Sequence, residues 1–250
     1  MTRRVHIVLV YQSLLGIYGD RGNATVLVKR LQWRGFEPVL TVAEPGSPLP
    51  DDADLYLLGG GEDGAQTTAV RQLTEEGTLH RAADRGAVVF GVCAGYQILG
   101  TSFTIGDDHR VMPGLGLLDV STTRGAERAV GEILTRLRPL PGDVTAPLGD
   151  EALVTGFENH GGMTTVGADA APLADVEIGV GNGDSARTEG AVQGSVVGTY
   201  PHGPVLARNP VLADFLLETA LRTRLDPLTR PETDLLRTER IAAVRRTARS

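Results

Sequence analysis

The chain has 250 residues, 41% of them hydrophobic, with 32 glycines and few aromatics. That is enough for one large α/β domain or two small ones, and the small side chains suit close packing of helices on a sheet. A net charge of −7 gives bulk electrostatics no argument for nucleic-acid binding, the single cysteine excludes an internal disulfide and suggests a reducing compartment, and no segment approaches the length of a membrane helix.

Met1-Thr2-Arg3-Arg4 leads directly into a short apolar run, too short for a signal-peptide core with a cleavage site, so a cytoplasmic protein is expected. Residues 5–11 read as a buried-type strand. A loop over residues 16–22 follows, and Asn23 can N-cap a helix that runs to about Trp33 and stops at Gly35. Residues 38–42 and 55–58 read as strands, the second followed by Gly59-Gly60-Gly61. Helical patterns cover residues 66–73 and 78–85, and residues 87–91 form another strand. Strands alternating with helices predict an α/β fold around a mostly parallel central sheet with right-handed crossovers. From Thr101 to about Val197 the pattern changes to short β-like pieces rich in Gly and Thr, read as a β-rich extension of that sheet plus hairpins. Asn209 as N-cap and Pro210 at the first position open a helix to about Arg224. This divides the chain into one domain over residues 1–224 and a linker with a C-terminal helix over residues 225–250. The arginines of that last helix suit a solvated face better than a lipid or nucleic-acid patch, with a partner contact as a third reading.

Two stretches carry chemistry. In Gly91-Val92-Cys93-Ala94-Gly95-Tyr96-Gln97 the only cysteine stands between a strand and a short helix. Glycines two residues to either side permit a cramped, strained turn that lifts the sulfur to the start of the helix, where an anion is favoured. The N–H groups there can also receive an oxyanion. A small buried hydrophobe at a strand end is the plain alternative for a lone cysteine. The second stretch, Ser195-Val196-Val197-Gly198-Thr199-Tyr200-Pro201-His202-Gly203, ends a β-branched strand and delivers a histidine into a Gly/Pro-rich loop. Functional residues gather at the carboxyl ends of strands in parallel sheets, so Cys93 and His202 fit a nucleophile and its general base.

With these residues placed, the chain resembles the class I glutamine amidotransferases through G-x-C-x-G-x-Q at residues 91–97. It is most similar to the subgroup shared with cobyric acid synthase, on Gly114-Leu115-Gly116-Leu117-Leu118-Asp119, Gly156-Phe157-Glu158-Asn159-His160-Gly161-Gly162 and Gly198-Thr199-Tyr200-Pro201-His202-Gly203-Pro204. Within it, Tyr18-Gly19-Asp20-Arg21-Gly22-Asn23 and Asn209-Pro210-Val211-Leu212-Ala213-Asp214 look like the GatD family, the glutaminase subunits of lipid II isoglutaminyl synthases. The resemblance implies that Cys93 attacks the side-chain amide of glutamine, that His202 moves the proton to the departing ammonia, and that a thioester is then hydrolysed. It implies an oxyanion hole from the N–H of Ala94 and one from the glycine loop, placed at Gly60. It puts Gln97 near the substrate or that loop and gives Arg128, with Arg124 as runner-up, the task of holding glutamine. His160 is expected to line the pocket or support it, and Asp20 and Arg21 to order a loop rather than do chemistry.

The chain departs from the wider class at Pro204, where that class carries a glutamate two residues beyond the histidine. The stretch from Tyr200 to Arg208 holds no Asp or Glu. The site is therefore a Cys–His dyad or a triad completed from elsewhere, and the expectation is a poor glutaminase until a partner supplies a carboxylate or orders the loop. Nor is there a G-x-x-x-x-G-K-[ST] phosphate loop. No cofactor or metal is expected in this chain. The resemblance implies a separate partner, a MurT-like Mur ligase subunit with ATP and Mg, that amidates the D-glutamate α-carboxyl of the lipid II stem peptide. That substrate would bring the complex to the inner membrane face. The competing readings are a glutaminase subunit serving another acceptor, a non-catalytic amidotransferase-like adaptor and a cysteine hydrolase of a different amide.

Overall fold

A computed structural model describes residues 3–16, 19–139 and 152–248. Tyr18, in one of the motifs above, and Arg249, at the end of the expected last helix, lie outside them. In chain order the elements begin β1 (Arg4–Val10), α1 (Arg21–Trp33), β2 (Glu37–Ala43), β3 (Leu55–Leu58), α2 (Asp63–Glu76), α3 (Thr78–Asp84), β4 (Val88–Val92) and α4 (Ala94–Leu99). Then come β5 (Ser102–Ile105), β6 (Arg110–Pro113), β7 (Val120–Leu137), β8 (Leu153–Val166), β9 (Ala174–Ile178), β10 (Thr188–Glu189), β11 (Ala191–Gln193) and β12 (Val196–Thr199). The chain closes with α5 (Val205–Arg208), α6 (Pro210–Leu221) and α7 (Pro231–Thr247).

Six strands form the first sheet in the order β11-β12-β4-β3-β1-β2. Only β11 runs antiparallel to its neighbour. The central strands β3 and β4 are buried at every position, as strands covered on both faces must be. Each Val or Leu side chain so removed from water contributes roughly 1.5–3 kcal/mol. Helices α1 and α6 pack onto this core through Leu27, Leu31, Leu212 and Leu216.

Most of the region from Thr101 onward is not an extension of that sheet. Strands β5 to β10 form a second one, in the order β10-β9-β7-β5-β6, with β8 paired to β7, and β11 and β12 return to the first. Nor are its main strands short: β7 has 18 residues and β8 has 14. Glycines and threonines, several of them buried, interrupt the apolar residues and hide the strands' continuity from a reading of apolar runs. Helix α7 packs Ile241 and Val244 against Leu134 of β7 and Leu153 of β8.

Of the two expected N-caps, Asn23 is corrected and Asn209 stands. Helix α1 begins at Arg21 with Asp20 as its N-cap residue. Asn23 is inside the helix and buried, its Oδ1 accepting the Leu206 N–H at 3.0 Å. Asn209 does precede α6, but its side chain serves the neighbours: Oδ1 accepts from the Thr155 N–H and Nδ2 donates to the Thr155 and Val205 carbonyls.

Candidate active site

Cys93 sits between β4 and α4 with φ 53° and ψ −105°. A non-glycine residue held there costs on the order of 1–3 kcal/mol. The surroundings enforce it. Cys93 N–H donates to the Thr199 carbonyl at 2.9 Å, Gln97 N–H to the Cys93 carbonyl at 3.0 Å and Gly95 N–H to the Gly59 carbonyl at 3.1 Å. The two flanking glycines are required for contact rather than for freedom. A Cβ on Gly91 would lie 2.7 Å from the Gly95 carbonyl carbon, and one on Gly95 would lie 2.6 Å from the Leu58 oxygen. The thiol lines a cavity of about 260 Å³. The N–H of Ala94 belongs to the first turn of α4 and has no intrahelical acceptor.

His202 is brought to the same place by strand pairing. Val92 of β4 is registered with Thr199 of β12, so both chains leave the sheet side by side. Strand β8 then pins the histidine backbone: His202 N–H donates to the Phe157 carbonyl at 2.9 Å, and Phe157 N–H to the His202 carbonyl at 3.0 Å. The ring is buried, with Nδ1 3.5 Å from Asp20 Oδ1. Burial pulls the imidazole pKa down, but hydrogen bonding to Asp20 and to Cys93, and the charges of both, outweigh it and lift the value to about 9.

Asp20, expected to order a loop rather than do chemistry, faces the His202 ring. It does order a loop, since its Oδ2 accepts the Gly60 N–H at 2.8 Å. That bond engages the N–H expected at the oxyanion hole. Gly60 has spent its donor on Asp20, whereas Gly61 lines the cavity beside Cys93 and Ala94. Gly59 must also be glycine, because a Cβ there would lie 2.1 Å from the Leu15 oxygen and 2.8 Å from Asp20 Cβ. The aspartate could not be singled out from sequence because it lies 182 residues from the histidine it faces.

The opposite wall comes from the second sheet. The β7–β8 register shifts between Arg124 and Ala129, so residues 125–128 leave the ladder and line the cavity. Arg124 and Arg128 both reach it. Arg124 is 3.4 Å from Asp107 and 4.0 Å from Asp63. Arg128 is held instead by neutral Asn159, with Nε donating to Oδ1 at 2.7 Å and Nη2 to the Asn159 carbonyl at 3.1 Å. Gln97 lines the wall between the two sheets. Its Oε1 accepts from Gln66 Nε2 at 2.6 Å and its Nε2 donates to the Tyr200 hydroxyl at 3.3 Å. His160 also lines the cavity, stacked on the Tyr200 ring at 3.7 Å between centroids, with its Nδ1 2.9 Å from the Gly162 carbonyl oxygen. Gln66 went unnoticed in sequence because one polar residue on a helix carries no pattern. Among the described residues no three His, Cys, Asp or Glu side chains are grouped to hold a metal ion, and no helix is long and apolar enough to cross a membrane.

A cysteine on a strained elbow, a histidine at the end of the adjacent strand and a parallel sheet beneath them define a glutamine amidotransferase-type fold and site. Solved structures share the fold. One chain of the PurLQS structure from Thermotoga maritima matches with a TM-score of 0.59 at 21% identity, covering 89% of this chain and 99% of that one. A further crystal structure of a glutamine amidotransferase matches at 0.56 and 20% identity, covering 85% and 98%. The chain belongs to the CobB/CobQ-like glutamine amidotransferase domain family, whose model matches residues 6–210. Among curated relatives, it is 32% identical to the GatD subunit of the glutamine-hydrolysing lipid II isoglutaminyl synthase of Staphylococcus aureus, over 92% of this chain and 91% of that protein. The GatD subunit of Streptococcus pneumoniae is 29% identical over 88% and 82%. A cobyric acid synthase of Methylobacterium nodulans is 40% identical, but over only 32% of its own length.

Proposed function

We propose that this chain is the glutamine-hydrolysing subunit of a lipid II isoglutaminyl synthase, as the GatD relatives are named. The observation that carries the chemistry is the side-by-side exit of Cys93 and His202 from registered strands β4 and β12, which pairs the imidazole with the thiol that lines the cavity. Cys93 Sγ, its proton passed to His202, attacks the side-chain carbonyl carbon of glutamine. The N–H groups of Ala94 and Gly61 receive the oxyanion. His202 then protonates the departing nitrogen, the C–N bond breaks, and ammonia leaves behind a γ-glutamyl thioester. Water, deprotonated by the same histidine, adds to the thioester; the C–S bond breaks, and glutamate and the thiol are restored. Arg128 pairs with the substrate α-carboxylate. Asn159 uses its Nε–H and one Nη2–H, which leaves the Nη1 side of the fork for the ligand.

Ammonia alone does not make an amide; the acceptor carboxyl must be activated. The relatives' name calls GatD a subunit, which supports a second subunit here, a MurT-like Mur ligase binding ATP and Mg. Its acceptor is the D-glutamate α-carboxyl of the lipid II stem peptide, which becomes D-isoglutamine, and the complex then works in the cytoplasm at the inner membrane face. The test is to follow glutamate release by the purified complex with and without lipid II and ATP, and the mass of the lipid II product. Replacement of one hydroxyl by an amide nitrogen, lost in Cys93→Ala when glutamine is the donor but retained with ammonium salts, supports the reading. Glutamate release from glutamine by the Cys93→Ala complex would overturn it.

A further inference from the structure

We propose that Asp20, from the start of α1, is the positioning acid of His202: one carboxylate oxygen takes the Nδ1–H of the imidazole, and the other holds the Gly60 backbone beside the nucleophile. This rests on the Cys93–His202 reading and adds the group that reading lacks. The chain carries no acid between Tyr200 and Arg208, and Pro204 occupies the place two residues beyond the histidine. The structure uses that proline differently. Its ring packs on Gly22 of α1, where a Cβ would lie 2.1 Å from Pro204 Cγ. One residue further, Asn23 Oδ1 accepts the Leu206 N–H. The first turn of α1 is thus clamped onto residues 204–206, and the clamp carries Asp20 to the far side of the imidazole.

Asp20 is 3% exposed, and a carboxyl group so buried needs hydrogen-bond partners. It has the Gly60 N–H at 2.8 Å and the His202 Nδ1 at 3.5 Å. The second contact is long, as catalytic pairs commonly are before substrate tightens them. The ionisable groups bearing on the His202 ring are Asp20 from α1 and Cys93 from the elbow. Strand β8 meets His202 through the Phe157 backbone, and Arg208 of α5 is engaged with Glu132 of β7 at 2.7 Å. A single carboxylate therefore fixes the tautomer of the base and the position of the glycine loop together. No partner-supplied acid is required, which replaces the expectation drawn from Pro204.

The full chain, alone and with its partner, tests this through Asp20→Asn and Asp20→Glu. Asparagine can still accept from Gly60 N–H but offers an amide N–H toward Nδ1, favouring the wrong tautomer. Expected is a fall in kcat for glutamine on the order of 10²-fold, with KM within about threefold, undiminished by adding the partner, and partial recovery in Asp20→Glu. The imidazolium is the acid that protonates the leaving nitrogen, so the alkaline limb of kcat/KM moves to lower pH when the carboxylate is lost. ¹⁵N NMR of the histidine ring reads the same coupling without substrate, so it holds whether or not glutamine is the natural ligand. His202 should titrate near 9 with Nδ1 protonated in the wild type and closer to 6.5 in Asp20→Asn. If Asp20→Asn is insoluble, the Asp20→Glu spectrum decides, since a retained charge must keep the titration raised. Wild-type kcat in Asp20→Asn, or an activity loss with His202 titrating unchanged, would overturn the proposal. So would a loss that a partner carboxylate repairs.

Discussion

The two sheets divide the labour of the site. The first supplies groups that must be placed to within a fraction of an ångström: Cys93, His202, Asp20 and the glycine loop all sit at the carboxyl ends of its strands or in the turns beyond them. The central strands among them are buried and registered with one another, so the chemistry rests on a close-packed core. The second sheet supplies Arg124, Arg128, Asn159 and His160 from an antiparallel hairpin with a bulge at residues 125–128. A bulge re-aims side chains at little cost to the strands on either side. Substrate preference can therefore be altered on the hairpin while the nucleophile stays where it is.

That division predicts which kinetic constant each region moves. Cys93→Ala should reduce glutamine hydrolysis by more than about 10³-fold while leaving the circular dichroism and partner binding unchanged. Cys93→Gly is equally dead but sharpens the comparison. It keeps the positive φ without a Cβ, so it should melt above Cys93→Ala by the strain released, on the order of 1 kcal/mol. Equal melting temperatures would mean that the elbow stores no strain.

On the hairpin, Arg128→Ala should raise KM for glutamine by about 10–100-fold, the worth of a charge-assisted pair, with kcat less affected. Arg124→Ala should do less, because Asp107 and Asp63 already answer its charge, whereas among the described residues no carboxylate lies within ion-pair distance of Arg128. A larger KM effect from Arg124 would reverse the two assignments. Smaller again is Asn159→Ala, which frees the Arg128 fork without removing it. A rise in KM of about threefold to tenfold is expected, measurable by steady-state kinetics, and a change confined to kcat would break the division between the sheets.

The same contrast explains what could be read from the amino-acid order. Strands such as β3 and β4 are continuous apolar runs, and β3 was placed to the residue; the elbow followed from glycines around one cysteine. Strands β7 and β8 escaped because their burial follows no single period and Gly125, Gly131, Gly156, Gly161 and Gly162 interrupt the apolar residues. The site's missing acid escaped for another reason. A carboxylate at a helix start looks like a cap, and Asp20 indeed stands at the N-cap position. What makes it more is the approach of Gly22 to Pro204, a long-range contact that neither local sequence announces. The proline that looked like a defect in the triad is the surface that docks its replacement.

Glu189 of β10 offers the mildest test, on the support behind the site rather than the site itself. Its carboxyl is buried and accepts from the Thr199 hydroxyl and the Tyr200 N–H, fixing the chain that leads to His202. Burial raises its pKa from 4.5 to about 7, against the lowering effect of those hydrogen bonds. The folded protein therefore holds this proton where the unfolded chain has released it. The resulting stability is fully present below pH 4.5 and is lost as pH rises through about 7. Glutamine at this position never ionises and retains an acceptor for Tyr200. Expected is a melting temperature that drops less between pH 5 and pH 7 in Glu189→Gln than in the wild type, by a few degrees, at about 2–4 °C per kcal/mol for a chain of this size. The window is chosen below most of the His202 titration, whose own stabilising effect is lost later, between 6.5 and about 9. Parallel melting curves for the two proteins across pH 5–7 would mean that Glu189 is ionised in both states, and that the loop bearing His202 leans on a charge rather than on a neutral acid.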